Sequence, residues 1–309
     1  MPGPKPACAA HRHRVALPDG DRLVLHDDCP EGWRTGGPTA LLLHGICGSY
    51  RSRYMERGAA RLKEQGVRVF RMDQRGCGAG RGLARRLYHA GSSSDLARAL
   101  QYVGRLCPGS STCVVGYSLG GNIVLKLAGE SHDLLPRNVS GVMAVNPAID
   151  LAAAAAAIQR PGNGFYHRYF MKFAIKLAQG LPGYAEGHRL LPRLDSLDAF
   201  NEFFYTRVWR FGSLKSYYEV CSAAPHLSAI RVPTLIVASE DDPIVPIRSF
   251  LQPQLSPTTR LLVTERGGHL GFIGKAQPCD PDHFWIDWRV LDWVEQCSVS
   301  SVQCSAMSA

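Results

Sequence analysis

Cys113-Val114-Val115-Gly116-Tyr117-Ser118-Leu119-Gly120-Gly121-Asn122 is the stretch whose reading decides the fold. An apolar, strand-like run ends in the pattern G-x-S-x-G, and a helix-compatible run opens at Gly121. In that order the serine occupies a tight, strained turn, and side chains at the flanking glycines would clash. The turn lifts the hydroxyl away from the sheet. The positive end of the following helix favours negative charge developing beside it. A bare G-x-S-x-G is common by chance, and its bland reading is a turn of small residues. The strand before, the helix after and the extra Gly121 make Ser118 the candidate nucleophile.

Outward from Ser118 the chain alternates between short apolar runs and amphipathic stretches. Strands are expected at 22–26, 40–44, 67–73, 112–117, 141–146, 234–238 and 260–264. Helices are expected at 54–65, at 95–106 with Leu96, Leu100 and Val103 on one face, from Gly121 to about Gly129, and at 284–295. Strands and helices at this spacing imply an α/β fold whose mainly parallel sheet is flanked by helices on both faces. Between Asp150 and Pro225 the alternation stops and aromatic and basic residues accumulate: Phe165, Tyr166, Tyr169, Phe170, Phe203, Phe204, Tyr205 and Trp209. Residues 151–225 therefore read as a helical cap inserted after the sixth strand, within a core made of 1–150 and 226–297. The small, polar residues 298–309 read as a frayed tail.

Serine chemistry needs a base, an acid and two donors for an oxyanion. In this arrangement the partners follow the serine in the order acid, then histidine. The run 234–238 leads into Ser239-Glu240-Asp241-Asp242-Pro243, where three acids compete; Asp242, immediately before the turn-forming proline, is preferred and Asp241 stands second. His269, in Arg266-Gly267-Gly268-His269-Leu270-Gly271, follows a strand and lies on a glycine-rich loop able to return toward Ser118. The rival His283 sits at the start of the closing helix. The residue after the nucleophile, Leu119, should give one backbone donor, and the loop His44-Gly45-Ile46-Cys47-Gly48 the other, through Ile46. His44 reads as a brace for that loop. Cys47 as an alternative nucleophile would need its own base.

These residues and their neighbours resemble the YheT-like branch of the α/β-hydrolases, also called AB hydrolase 4. The likeness runs through Arg75-Gly76-Cys77, Tyr88-His89-Ala90-Gly91, Ser118-Leu119-Gly120-Gly121-Asn122, Tyr205-Thr206, Tyr217-Tyr218 and Asp241-Asp242-Pro243, and spans about 41–272. It implies the α/β-hydrolase fold and esterase or acyltransferase activity, including on medium-chain acyl esters and phospholipids, with no cofactor. Gly78-Ala79-Gly80 departs from the branch, whose members often carry Ser-Gly and a longer polar stretch there. Arg75 and Tyr88-His89 either line the site or order its loops, and ordering is preferred.

Composition narrows the field further. The chain has 309 residues, 45% of them hydrophobic and 20% charged, enough to bury a full core. The net charge of +9 is spread along the chain, as in 81–86, without a basic-aromatic stripe, so nucleic acid is not an expected partner. The start MPGPKPACAAHRHR has no apolar secretory stretch, and the longest apolar run, 139–158, is interrupted by Asn146, Pro147 and Asp150; a cytoplasmic protein is expected. The ten cysteines form no CxxC pair, and free thiols are expected. Cys8, His11 and His13 could be imagined around zinc, but no second ligand pair accompanies them, and no metal site is assigned. Three functions compete: hydrolysis of carboxylic esters, acyl transfer to an alcohol by the same residues, and a hydrolase-like protein that binds without turnover. The expected partner is a small ester or lipid-like molecule. Arg168, Lys172 and Lys176 could add weak contact with an anionic lipid surface.

Overall fold

The protein is described by a computed structural model covering residues 10–130, 133–181 and 194–306. Eight strands form one sheet: β1 His11–Ala16, β2 Arg22–Asp28, β3 Thr39–Leu43, β4 Arg68–Asp73, β5 Thr112–Tyr117, β6 Val139–Val145, β7 Thr234–Ser239 and β8 Thr259–Thr264. Their order is β1-β2-β4-β3-β5-β6-β7-β8. Only the pairings of β2 with β1 and β4 are antiparallel. Parallel neighbours need crossovers, and the helices α1 Arg53–Glu64, α2 Ser93–Leu106 and α3 Leu119–Glu130 supply them.

Side chains alternate across a strand, so each strand feeds two cores. Leu41, Leu43, Phe70, Met72 and Val114 face Leu96 and Leu100 of α2 and Ile123 and Leu127 of α3. Ala40, Leu42, Val69, Cys113 and Val115 face Met55 and Leu62 of α1 and Val290 and Val294 of the last helix. Near-continuous apolar strands follow from burial on both faces.

Strand β1 was not among the expected elements. His-Arg-His-Arg-Val-Ala reads as basic surface, because an edge strand shows only one half-buried face. Pairing with β2 fixes it, and His13 adds a 2.9 Å contact with Asp27 and a 3.2 Å contact with the Tyr102 hydroxyl. Cys8 lies outside the described residues, among which no cluster of side chains could hold a metal ion.

Between β6 and β7 the chain forms α4 Leu151–Ile158, α5 Gly164–Ala178, α6 Leu197–Asn201, a wide π-type helical stretch Glu202–Val208, and α7 Leu214–Cys221. Asp150, Ser196 and Ser213 start three of them by accepting the N–H of Ala153, Ala199 and Ser216. The closing helix α8 runs Trp285–Ala306. It is longer than expected: the backbone stays helical where a frayed tail from 298 was foreseen, because neither glycine nor proline interrupts it. No described helix is long and apolar enough to cross a membrane.

Candidate active site

The site forms where β3, β5, β7 and β8 end. Ser118 directly follows β5 and precedes α3, with φ +53°, a left-handed value that few non-glycine residues adopt. Its N–H donates to the Val145 carbonyl at 2.8 Å, and its own carbonyl accepts from Asn122 N–H at 3.1 Å. The surrounding glycines are required by space. A Cβ at Gly116 would fall 2.5 Å from the Gly120 carbonyl oxygen, one at Gly120 equally close to those of Leu43 and His44, and one at Gly45 2.9 Å from Ser118 Cβ. The strained turn is thus clamped by its neighbours.

His269, on the loop after β8, places Nε2 2.8 Å from Ser118 Oγ and Nδ1 2.8 Å from Asp242 Oδ2. A carboxylate only accepts, so Nδ1 carries the hydrogen and Nε2 is left to accept from the serine. Asp242 is buried and fixed by the N–H groups of Ile244 (2.7 Å) and Val245 (3.0 Å), both on Oδ1. Its neighbour Asp241 faces elsewhere: its Oδ1 accepts from Gly267 N–H and Gly268 N–H, each at 2.8 Å. The Gly268 N–H, more than any other group, holds the Asp241 carboxyl below its ordinary range. Asp241 therefore shapes the His269 loop while Asp242 meets the imidazole. His283, the rival, contacts the Gly274 carbonyl instead.

Loop 44–48 closes as a turn, Gly48 N–H donating to the Gly45 carbonyl at 3.1 Å, with Cys47 left-handed at φ +56°. Gly45 N–H donates to the Tyr54 hydroxyl (3.1 Å) and Cys47 N–H to the Tyr88 hydroxyl (2.8 Å). Among the described residues the N–H groups of Ile46 and Leu119 have no protein acceptor. His44 lies beneath, its Nδ1 2.7 Å from the Gly45 carbonyl and its Nε2 accepting from Gln74 N–H. Complete burial pushes its pKa down, so it stays a neutral brace. Burial pushes the Cys47 thiol up to about 12, and its Sγ lies 3.9 Å from the Phe170 carbonyl. It is protonated at neutral pH and therefore a poor nucleophile.

Three contributors had no role assigned from the sequence. Asn146, at the end of β6 with φ +42°, donates to the carbonyls of Gly268 (2.8 Å) and His269 and accepts from Ser239 N–H (3.0 Å). Ser239 Oγ donates to the same Gly268 carbonyl at 2.6 Å. Both hold the His269 loop. Asn122 is completely buried and joins three segments, donating to Ala90 and Cys221 carbonyls and accepting from Ala223 N–H. The signal for Asn146 was its place at a strand's end, but there it read only as an interruption of an apolar run.

Arg75 does not reach the pocket. It bonds Asp95 twice (2.6 and 2.9 Å) and also Asp19 (2.6 Å) and Asp21 (2.8 Å), tying the β1–β2 turn to α2. Above Ser118 opens a pocket of about 670 Å³ lined on one side by Ile46, His269 and Ile244, and on the other by aromatic residues of α5. Phe165, Tyr166, Tyr169, Phe170 and Phe173 reach it; Met171, Ile175, Phe203, Phe204, Tyr205 and Trp209 do not line it and pack inward instead. Much of the aromatic content of this region is thus ordinary core.

A serine on a strand-to-helix turn, a histidine linked to a buried aspartate, and free amides beside them form one constellation at the carboxyl edge of a parallel sheet. Comparison with known proteins bears on the family and the fold. The family model described as the alpha/beta hydrolase fold matches residues 38–276. The YheT protein of Escherichia coli (strain K12) is 31% identical over 290 residues, covering 91% of this chain and 83% of that one. Phospholipase ABHD3 of Homo sapiens is 24% identical over 254 residues, covering 78% of this chain and 60% of that one. The solved esterase Pf2001 of Pyrococcus furiosus superposes with a TM-score of 0.59 at 17% identity, covering 93% of this chain and 92% of that one, which speaks to the fold. The chain belongs to the α/β-hydrolase family, in its YheT-like branch.

Proposed function

We propose that this protein hydrolyses carboxylic esters through an acyl-enzyme on Ser118, with His269 as base and acid and Asp242 as its partner. One observation carries the reading: the unbroken line Asp242–His269–Ser118, 2.8 Å at each link, ending beside two unoccupied backbone donors. Ser118 Oγ attacks the ester carbonyl carbon as its proton passes to His269 Nε2. The Asp242 carboxylate holds the tautomer and stabilises the imidazolium. The carbonyl oxygen becomes an oxyanion facing the Ile46 and Leu119 N–H groups, where one lost donor typically costs about 10²–10³ in rate. His269 returns its proton to the leaving alkoxide, and the alcohol departs. Water, activated by the same imidazole, then attacks the acyl carbon, releasing the acid and restoring Ser118. Every proton taken up is given back, so no cofactor is required.

Residues 151–225 are read as a cap that selects the acyl chain. The aromatic wall of α5 favours medium-chain or lipid-like acyl groups, and the relative ABHD3, named as a phospholipase, points the same way. At the mouth, Phe165 is 70% and Tyr169 48% exposed, and the neighbouring Arg168 and Lys172 are exposed cations. Such a rim suits an anionic lipid surface; vesicle binding that ignored salt would contradict this. The direct test of function is a series of p-nitrophenyl esters. Medium-chain esters should outperform the acetate, since each buried methylene is worth roughly 0.8 kcal/mol, or about fourfold. Activity that falls steadily from acetate upward would sink the lipid-like assignment, and no turnover of any ester would sink hydrolysis itself.

A further inference from the structure

The turn 45–48 has four amide groups at the nucleophile, and three of them are taken. Gly48 N–H closes the turn on the Gly45 carbonyl. Gly45 N–H and Cys47 N–H, on either side of Ile46, end on two tyrosine hydroxyls from separate parts of the chain: Tyr54 at the start of α1 and Tyr88 in the loop before α2. Left alone, a flexible turn of this kind can rotate its peptide units, and a carbonyl could then replace an N–H in front of the serine. The left-handed Cys47 makes that concrete, since such a backbone is strained and persists only when its surroundings hold it.

We propose that Tyr54 and Tyr88 are positioning residues for the oxyanion site: by capturing the two flanking N–H groups they fix the peptide planes so that, of this turn's amides, the Ile46 N–H faces the reacting carbonyl beside that of Leu119. Tyr88 is itself held. It is 1% exposed, its carbonyl accepts from the Tyr205 hydroxyl at 3.1 Å, the adjacent Leu87 carbonyl accepts from Trp209 Nε1 at 2.8 Å, and Ala90 N–H donates to the Tyr217 hydroxyl at 3.3 Å. Three residues of the 151–225 segment thereby anchor the loop that carries Tyr88. The segment that selects the substrate also sets the geometry of the chemical step, which explains why aromatic side chains that never reach the pocket are placed there. The inference rests on the serine-hydrolase reading, and it names residues which that reading leaves without a role.

Tyr88→Phe keeps the ring and removes the hydroxyl that takes Cys47 N–H; Tyr54→Phe does the same for Gly45 N–H. Each should lower kcat by about tenfold to a hundredfold, a fraction of the loss when an oxyanion donor is deleted, with KM nearly unchanged. The affinity of an alkyl boronate, which mimics the tetrahedral intermediate, should fall in parallel with kcat/KM. A merely structural role would lower the melting temperature and leave kcat and boronate affinity in place, and that result in both soluble variants would overturn the proposal. Should Tyr88→Phe fail to fold, Tyr54→Phe carries the test alone. Ser118→Ala separates the two layers: an active Ser118→Ala protein removes the nucleophile reading, whereas an inactive one beside fully active tyrosine variants removes only this inference.

Discussion

The strand ends around Ser118 and the helices between β6 and β7 meet at one pocket but are built on different terms. At the strand ends, geometry is over-determined. Ser118 is held left-handed among glycines that leave no room for a Cβ, and Asn146, Ser239 and Asp241 together secure the loop bearing His269. In the helical region one wall of aromatic side chains faces the pocket, while another packs inward and reaches residues 87–90 through Tyr205, Trp209 and Tyr217. The contrast separates two tasks. Bond making tolerates displacement poorly, and about 1 Å of misplacement can cost a hundredfold. Choice of acyl chain asks only for apolar area of roughly the right depth.

Substitutions of the three side chains linked at Ser118 should therefore act on rate by orders of magnitude, and those on α5 on preference by small factors. Ser118→Ala and His269→Ala should each lower kcat by roughly 10⁴–10⁶, and the double variant little further, because such residues act as a unit. Steady-state kinetics on a soluble ester reads this, and additive losses would break the picture of one linked device. Next in size is Asp242→Asn, expected to cost about 10⁴ through the wrong imidazole tautomer. Asp241→Asn should keep most of the turnover and lose thermal stability instead. Equal kinetic losses at the two acids would erase the division of labour drawn from their hydrogen bonds.

On the other side of the comparison, Phe173→Ala should flatten the chain-length preference. Medium-chain kcat/KM is expected to fall severalfold while the acetate value hardly moves. A uniform drop across the ester series would place Phe173 with the catalytic frame instead. The smallest effect concerns His89, which sits among the rings of Trp209 and Phe211, 4.5 and 5.0 Å away between centroids, and accepts Gly91 N–H on Nδ1 at 3.1 Å. Burial, with the charges of Arg75 and Lys126 adding to it, pushes its pKa down to about 3 from an ordinary 6.5. Above 6.5 the ring is neutral in both folded and unfolded chains. As pH falls below that value the unfolded chain gains a proton that the folded one refuses, so stability declines toward pH 3. His44 acts in the same direction. Melting temperatures across that range should fall, and His89→Gln should make the slope shallower; an unchanged slope would contradict the assignment.

Much of the frame could be read from sequence because it rests on local pattern. Apolar runs at regular spacing mark the parallel strands, and the glycines around Ser118 by themselves mark a crowded turn. Strand β1 stayed hidden because its His and Arg residues become sheet only through pairing with β2. Pro243 favours Asp242 over Asp241 in the sequence, but their separate roles are set by the fold: Asp241 accepts the N–H groups of Gly267 and Gly268 while Asp242 meets the His269 imidazole. Asn146 illustrates the same limit, since its partners at 239, 268 and 269 are distant in sequence. The aromatic region was legible as a unit but not in its division, because composition does not say which rings face a cavity and which face the core.

The central claim is that Ser118 carries the acyl group. Intact mass and peptide mapping after brief exposure to a slowly released p-nitrophenyl ester, or to a fluorophosphonate, test it most directly. One adduct per chain is expected, located on Ser118, absent from Ser118→Ala and strongly slowed in His269→Ala. An adduct on Cys47, or ester turnover persisting in pure Ser118→Ala protein, would contradict it.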